Sequence, residues 1–301
     1  MTKEQISKYT EQFIRTFASL IKVLYLSKAD TLKQSATLRS DGCYILGNGP
    51  SLKSFLEFES NIPEGFSTMA VNYFAGTDSY EKIKPEFYTI ISPEYWKGEE
   101  DDSWKNERKQ LFVHMVEQTT WPMTLFVPVY ARRDEEWVSY LSENQNIKIE
   151  YINTTPIEGL QEISFLLYRY GLGIPRPHNV LVGSIFIAIL KGFKEIRLLG
   201  ADHNWLEEMF IGEDNIVYIG QKHFYDEQFK DRTSLLRADP KPMYVGGSKK
   251  PRKFHQILEK LYYTFQSYWE LREFATRRKI KIINFTKGSY IDAFERPENG
   301  S

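Results

Sequence analysis

The sequence predicts an α/β fold: a Rossmann-like, open and mostly parallel sheet flanked by helices. Three observations carry that expectation. Short apolar segments alternate with helical periodicity from residue 41 onward. Those segments stop on small or polar residues (Gly47, Asn72, Ser92, Gly200), where the loops of such sheets gather their ligands. The chain has 301 residues, 42% of them hydrophobic and 15% aromatic, enough for one large core. Its 39 Lys/Arg and 40 Asp/Glu leave a net charge of −1. That balance excludes a collagen-like or largely disordered chain, and it excludes bulk attraction to nucleic acid.

Residues 1–40 read as an amphipathic helical extension. Ile6, Tyr9, Phe13, Phe17, Leu20, Ile21 and Leu24 recur at spacings of three and four, which marks one apolar face. The stretch holds seven Lys/Arg against three acids, a net of +4. Two placements stay open. The favoured one packs the apolar face on the domain or on a second copy, making a homo-oligomer; the other lays it on an anionic membrane surface. The run from Ile14 to Leu26 is broken by Arg15 and Lys22 and falls short of the ~20 apolar residues of a span. No secretory signal opens the sequence, and the lone Cys43 cannot form an internal disulfide. A cytoplasmic protein, at most peripheral at the inner face of the membrane, is expected.

A single α/β domain is expected over residues 41–295. Its strands are Cys43 to Leu46, Ser67 to Tyr73, Phe87 to Ile91, Met123 to Pro128, Ile147 to Ile152, Glu195 to Leu199 and Lys281 to Phe285. Val180 to Leu190 reads as an apolar helix closed by Gly192, and Lys253 to Arg278 as a long one. In that last helix Leu258, Leu261, Tyr262, Phe265, Trp269, Leu271 and Phe274 read as core. The charge runs at 99–102 and 132–136 read as solvated loops or helix starts. Residues 204–250 are polar and rich in Gly and Pro, which suggests a lid or acceptor loop over the ligand end of the sheet. The tail 296–301 is expected to be disordered.

Three motifs can carry chemistry. Gly47-Asn48-Gly49-Pro50-Ser51-Leu52 follows a strand, and small residues there let a backbone approach a phosphate while Ser51 caps a helix. A plain tight turn explains the same residues. The run is neither a P-loop nor a G-x-G-x-x-G fingerprint. Gly200-Ala201-Asp202-His203 sets an acid and an imidazole at another strand end. His223-Phe224-Tyr225-Asp226, in the polar excursion, offers a general base beside a phenol. Asp202, His203, His223 and Asp226 match no standard ligand spacing, so no metal is expected. His114, His178 and His255 read as structural. The cations Lys249, Lys250, Arg252 and Lys253 after Gly246-Gly247-Ser248 read as a solvated helix start, with an anion-binding role as the alternative.

In this order the motifs resemble bacterial glycosyltransferases of the family-42 sialyltransferase type and the related MptE-like/DUF115 group. The likeness rests on Gly47 to Leu52, Ala70-Val71-Asn72, Ser92-Pro93, Gly192-Phe193-Lys194-Glu195-Ile196, Gly200-Ala201-Asp202, and Tyr244 to Lys249 before the last helix. It covers residues 41 to 295. It implies a GT-A-like variant of the fold and a CMP-sugar cleft. Gly47, Asn48, Gly49, Ser51 and Gly200 would then line the nucleotide, and Asn72, Ser92 and Asn179 would contact the donor. The family's base histidine falls at Gly247 and its tyrosine at Asn204. By elimination His223, His203, Tyr225 and Asp202 are the catalytic candidates: His223 or His203 as base, Tyr225 on the leaving phosphate, and Asp202 orienting a histidine or binding acceptor. The expected activity is metal-independent transfer from a CMP-linked sugar to a glycan or lipid-linked glycan acceptor in surface-polysaccharide assembly. Pyrophosphate transfer from ATP and a non-catalytic assembly protein are the alternatives.

Overall fold

The computed structural model describes residues 2–58, 62–96, 102–226, 240–245 and 250–297. In chain order the strands are β1 (Arg39–Leu46), β2 (Phe66–Val71), β3 (Phe87–Thr89), β4 (Met123–Pro128), β5 (Ile147–Ile152), β6 (Phe193–Leu199), β7 (Met209–Ile211), β8 (Val217–Ile219), β9 (Lys241–Pro242) and β10 (Lys281–Asn284). The helices are α1 (Lys3–Leu26), α2 (Leu52–Phe58), α3 (Tyr80–Ile83), α4 (Asp102–Gln118), α5 (Glu135–Ser142), α6 (Gln161–Arg169), α7 (Val180–Lys191) and α8 (Phe254–Thr276).

Seven strands form one sheet in the order β10-β6-β1-β2-β3-β4-β5, and every pairing in it is parallel. The α/β Rossmann-like reading of the sequence therefore holds. Period-two alternation sends β1 into both layers. Cys43 and Ile45 face a core with Ile185, Phe186 and Ile189 of α7 and Leu271 and Phe274 of α8. Tyr44 and Leu46 face the other, with Leu111, Phe112 and Met115 of α4. Because α7 lies between sheet and α8, its residues Val180 to Leu190 are all buried, which explains a sequence that is apolar all round. Asn179 caps it, accepting from Leu181 N at 2.8 Å, and Gly192 ends it at φ +81°.

The chain winds from β1 outward to β5, then returns to place β6 against the other side of β1. The strand order reverses there, and crevices open at the carboxyl ends of strands at such a point. The two strand ends meet backbone to backbone. Gly47 N donates to Leu199 O at 2.7 Å, and Gly49 N to Gly200 O at 2.9 Å. A Cβ on Gly47 would lie 2.5 Å from Gly200 O. One on Gly200, whose φ is +62°, would lie 2.1 Å from Gly47 O.

The structure corrects or refines the sequence reading at five points. The helix of residues 1–40 ends at Leu26, because after Ser27 the N–H groups leave the i−4 ladder for the body: Lys28 N donates to Asn153 Oδ1 at 2.9 Å, and further on Leu32 N donates to Tyr151 O and Ser35 N to Leu190 O. The favoured placement sets the apolar face of α1 on the domain or on a second copy, and its first half is corrected. The helix docks by polar residues: Leu160 N donates to Thr16 Oγ1 at 2.7 Å and Glu158 N to Ser19 Oγ at 2.8 Å. The apolar face points outward, with Phe13 66% and Leu24 80% exposed. In α8, Leu258, Tyr262 and Trp269 are exposed and Tyr268 is fully buried instead. The 204–250 excursion is partly ordered, as β7, β8 and β9 form an antiparallel sheet. Arg296, placed in the tail, bonds the carbonyls of Thr286, Ser289 and Ile291. Gly246 to Lys249 lies outside the described residues.

The β1–β6 seam is open to a direct test. Gly200→Ala should cost about 2–4 kcal/mol, combining left-handed strain with a backbone clash, read as a lowered urea midpoint. An unchanged midpoint would show that the strand ends separate freely.

Candidate active site

A cavity of about 340 Å³ opens at the switch point. Its walls come from five stretches of chain: Gly47 to Pro50 after β1, Val71 and Asn72 after β2, Asn179 to Leu181 at the start of α7, Gly200 and Asp202 to Trp205 after β6, with Glu208 just beyond, and Gly220, Lys222 and His223 from the excursion. Nine of the twelve sequence candidates line it. Ser51, Ser92 and Tyr225 do not.

Asp202 faces the loop after β1. Its carboxylate accepts from Ser51 Oγ at 2.9 Å and from Ser51 N at 3.3 Å. Burial pushes this carboxyl above the usual range, and the Ser51 bonds pull it partly back. A Cβ on Gly49 would meet Asp202 Oδ2, so the glycine admits the carboxylate. Asp202 therefore braces the loop and orients neither imidazole, contrary to one of its expected roles. The N–H groups of Gly47, Gly49 and Ser51 are all taken by the chain itself. These glycines serve close packing of strand ends, and the loop's polar offering to the cavity comes from Asn48.

Asn48 donates from Nδ2 to Val71 O at 3.1 Å, while its buried Oδ1 has no partner among the described residues. The Oδ1 of Asn72 is likewise buried and unpartnered, and Asn72 itself sits at φ +49°. Both asparagines line the cavity, and each keeps a buried amide oxygen without a donor among the described residues. Left-handed backbone at a non-glycine residue is strain of the kind found at ligand sites.

The two histidines have opposite environments. His203 is buried, at φ +54°, with Nε2 2.7 Å from Tyr268 Oη and its ring against Trp205. Burial drives its pKa down to about 3, so it stays neutral near pH 7 and is a poor proton acceptor. The ring of His223 is partly exposed, stacked at 5° on Tyr225. Its buried Nδ1 lies 3.5 Å from Asp226 Oδ1, and Asp226 Oδ2 accepts from His223 N at 2.7 Å. With Nδ1 turned inward beside a carboxylate, Nε2 is the nitrogen left to the cavity.

Tyr225 is 2% exposed, packed near Tyr73 and hydrogen-bonded to Asn48, with its hydroxyl held well above the ordinary phenol range by burial. The expected contact of this phenol with a leaving phosphate is corrected: Tyr225 supports His223 and Asn48 from behind. Glu208 and Lys222 form an ion pair on the cavity wall. Sequence reasoning passed over Lys222, Glu208 and Tyr268; adjacency to His223 was the available signal for Lys222, and Tyr268 had none. Among the described residues no group of three or more His, Cys, Asp or Glu converges as metal ligands would. The Asp202, His203, His223, Asp226 set is split among Ser51, Tyr268 and the His223–Asp226 pair. No helix among the described residues is long and apolar enough to cross a membrane.

Among solved structures, a Maf glycosyltransferase from Magnetospirillum magneticum AMB-1 superposes with a TM-score of 0.51 at 13% identity, over 96% of this chain. The chain shares its fold with a glycosyltransferase. It spans 38% of the length of that protein. An apo α-2,3-sialyltransferase of Campylobacter jejuni matches at TM-score 0.31 and 13% identity, over 88% of this chain and 82% of that one. The monofunctional Cst-I of Campylobacter jejuni gives 0.31 and 14%, over 87% and 83%. No protein-family model and no curated protein sequence matches the chain.

The state of His203 sets a pH dependence. The unfolded chain binds a proton near pH 6.5 that the folded chain refuses until about pH 3, so His203 contributes stability above pH 6.5 that is lost on acidification. Between pH 6 and 4, His203→Gln should flatten the fall in urea-derived stability by about 1.4 kcal/mol per pH unit. Parallel curves for wild type and variant would mean that His203 is solvated and titrates normally.

Proposed function

We propose that this chain transfers a sugar from a nucleotide-activated donor, CMP-linked, to a hydroxyl of a glycan or lipid-linked glycan acceptor in bacterial surface-polysaccharide assembly, without a bound metal. One observation carries the reading: the switch-point cavity is lined by two asparagines whose buried amide oxygens lack a donor among the described residues, and by an imidazole with a carboxylate beside it, within a fold shared with a glycosyltransferase.

In this reading the ribose and base hydroxyl and amino groups meet Asn48 and Asn72. The phosphate lies against Lys222 and the amino end of α7, where a cation and the positive end of the helix dipole favour an anion. Those two groups replace the loop N–H donors and the Tyr225 phenol. The acceptor oxygen gives its proton to His223 Nε2 and forms a bond to the anomeric carbon. The bond from that carbon to the phosphate oxygen breaks on the opposite face, and the nucleotide leaves with the electron pair. Asp226 holds His223 and stabilises the imidazolium that forms. Asp202 and Glu208 are committed to Ser51 and Lys222, which favours chemistry carried by these side chains over carboxylate-held Mg²⁺.

Helix α1 supports a place at the inner membrane face. Its outward stripe includes Phe13, Phe17, Leu20, Ile21 and Leu24, and residues 1–40 carry a net +4 that suits anionic lipid.

Three outcomes are expected. CMP without metal should raise the melting temperature, and ATP with Mg²⁺ should not. With an accepted donor, His223→Ala should cut turnover by roughly 10²-fold or more while CMP affinity stays near normal; unchanged turnover refutes the assignment of the base. The full chain should sediment with vesicles containing phosphatidylglycerol, and a Phe13→Glu/Phe17→Glu variant should not. A lipid-independent dimer abolished by the same pair would assign the stripe to a second copy instead.

A further inference from the structure

Beside the main cavity lies a second one of about 50 Å³, and Asn179 and Trp205 line both. Its floor is α8, through Ile257, Lys260, Leu261 and Thr264. His178, the residue before the cap of α7, forms another wall, with Gln221 and Met243 opposite. The space is of a size for one small polyatomic group.

Cationic groups gather around it. Among the described residues the Lys260 ammonium contacts Met243 Sδ at 4.0 Å, a thioether that cannot compensate a charge. Arg252 is tied to the same place, since its N donates to Met243 O at 2.7 Å. Arg176, next along, is engaged by Glu158 and stacks on Tyr263. Burial depresses Lys260 and His178 alike, and Arg252 acts in the same sense on both; Glu94 opposes it at Lys260 and Glu158 at His178. Charges taken out of water are ordinarily paired, so a half-buried ammonium and its cationic neighbours around an open space mark a place for an anion.

We propose that this second cavity is an anion subsite, taking a carboxylate or a phosphate carried by the acceptor, so that the acceptors are acidic or phosphorylated glycans; the acceptor half of this rests on the donor reading of the main cavity. His178, expected to be structural, becomes a wall of that subsite. Lys260 supplies the principal charge, and Trp205 sits where it can report on both compartments.

The test uses the full chain with sodium phosphate, glucuronate and glucose as probes, at constant ionic strength set with chloride. Trp fluorescence and melting temperature are the readouts, for wild type, Lys260→Met, Lys260→Arg and Lys222→Met. A saturable response to phosphate or to glucuronate, and none to glucose, is expected. It should weaken at least about 10-fold in Lys260→Met, the loss of one charged hydrogen bond, and return in Lys260→Arg. Phosphate alone points to a phosphorylated acceptor, glucuronate alone to an acidic sugar. Arg252→Gln should weaken the same response, and it serves if Lys260→Met does not fold. The proposal is overturned if wild type shows no saturable response, if Lys260→Met responds like wild type, or if only Lys222→Met loses the effect. CMP binding, measured separately, should stay within about 2-fold of wild type in Lys260→Met. Absence of CMP binding to wild type would sink the donor reading and leave the anion result to stand by itself.

Discussion

Everything at the ligand end of this molecule depends on two strand ends that touch without side chains between them. Gly47 and Gly49 donate to the carbonyls of Leu199 and Gly200. Because no Cβ intervenes, the loop after β1 and the loop after β6 share one wall, and Asp202 reaches across to Ser51. The sheet reverses its order at this seam, so the neighbouring strand ends and α7 open onto the same space. The glycines that look like a phosphate cradle thus act first as a hinge of the architecture. The cavity follows from that contact.

Solvent separates the two imidazoles. His203 is adjacent to Asp202 in sequence, yet its ring is turned into the protein against Tyr268 and Trp205, where a charge is unsupported. His223 comes from the excursion, keeps one edge in the cavity and has Asp226 behind the other. A carboxylate beside Nδ1 and open space beside Nε2 is the arrangement a proton acceptor requires. The same contrast of wet and dry separates Lys222, paired with Glu208 on the cavity wall, from Lys260, held off water beside a thioether.

Helix α1 shows how a polar contact can govern an apolar surface. Thr16 and Ser19 satisfy backbone groups at Glu158 and Leu160 that would otherwise be buried without partners. Satisfying them fixes the helix rotation, and Gly159 makes room for the approach. The large side chains are left facing outward as a consequence. A face of that size, left uncovered by the described residues of its domain, sets the scale of any contact with lipid or with a second copy.

Much of the architecture was legible because it is written in local periodicity. Met123 to Pro128 and Ile147 to Ile152 are strands as read, and α7 and α8 lie within two residues of their expected bounds. The cavity residues Asn48, Asn72, Asn179, Asp202 and His223 were also legible, since small or polar residues at strand ends and caps are local features. Which of them share a space, which nitrogen is dry and which carboxylate is already engaged were decided by tertiary structure. Those properties depend on neighbours far along the chain: Tyr268 for His203, Ser51 for Asp202, Met243 for Lys260. Sequence alone determined residue types and their spacing; only folding set desolvation and partnership, because both are properties of surroundings that no single segment contains.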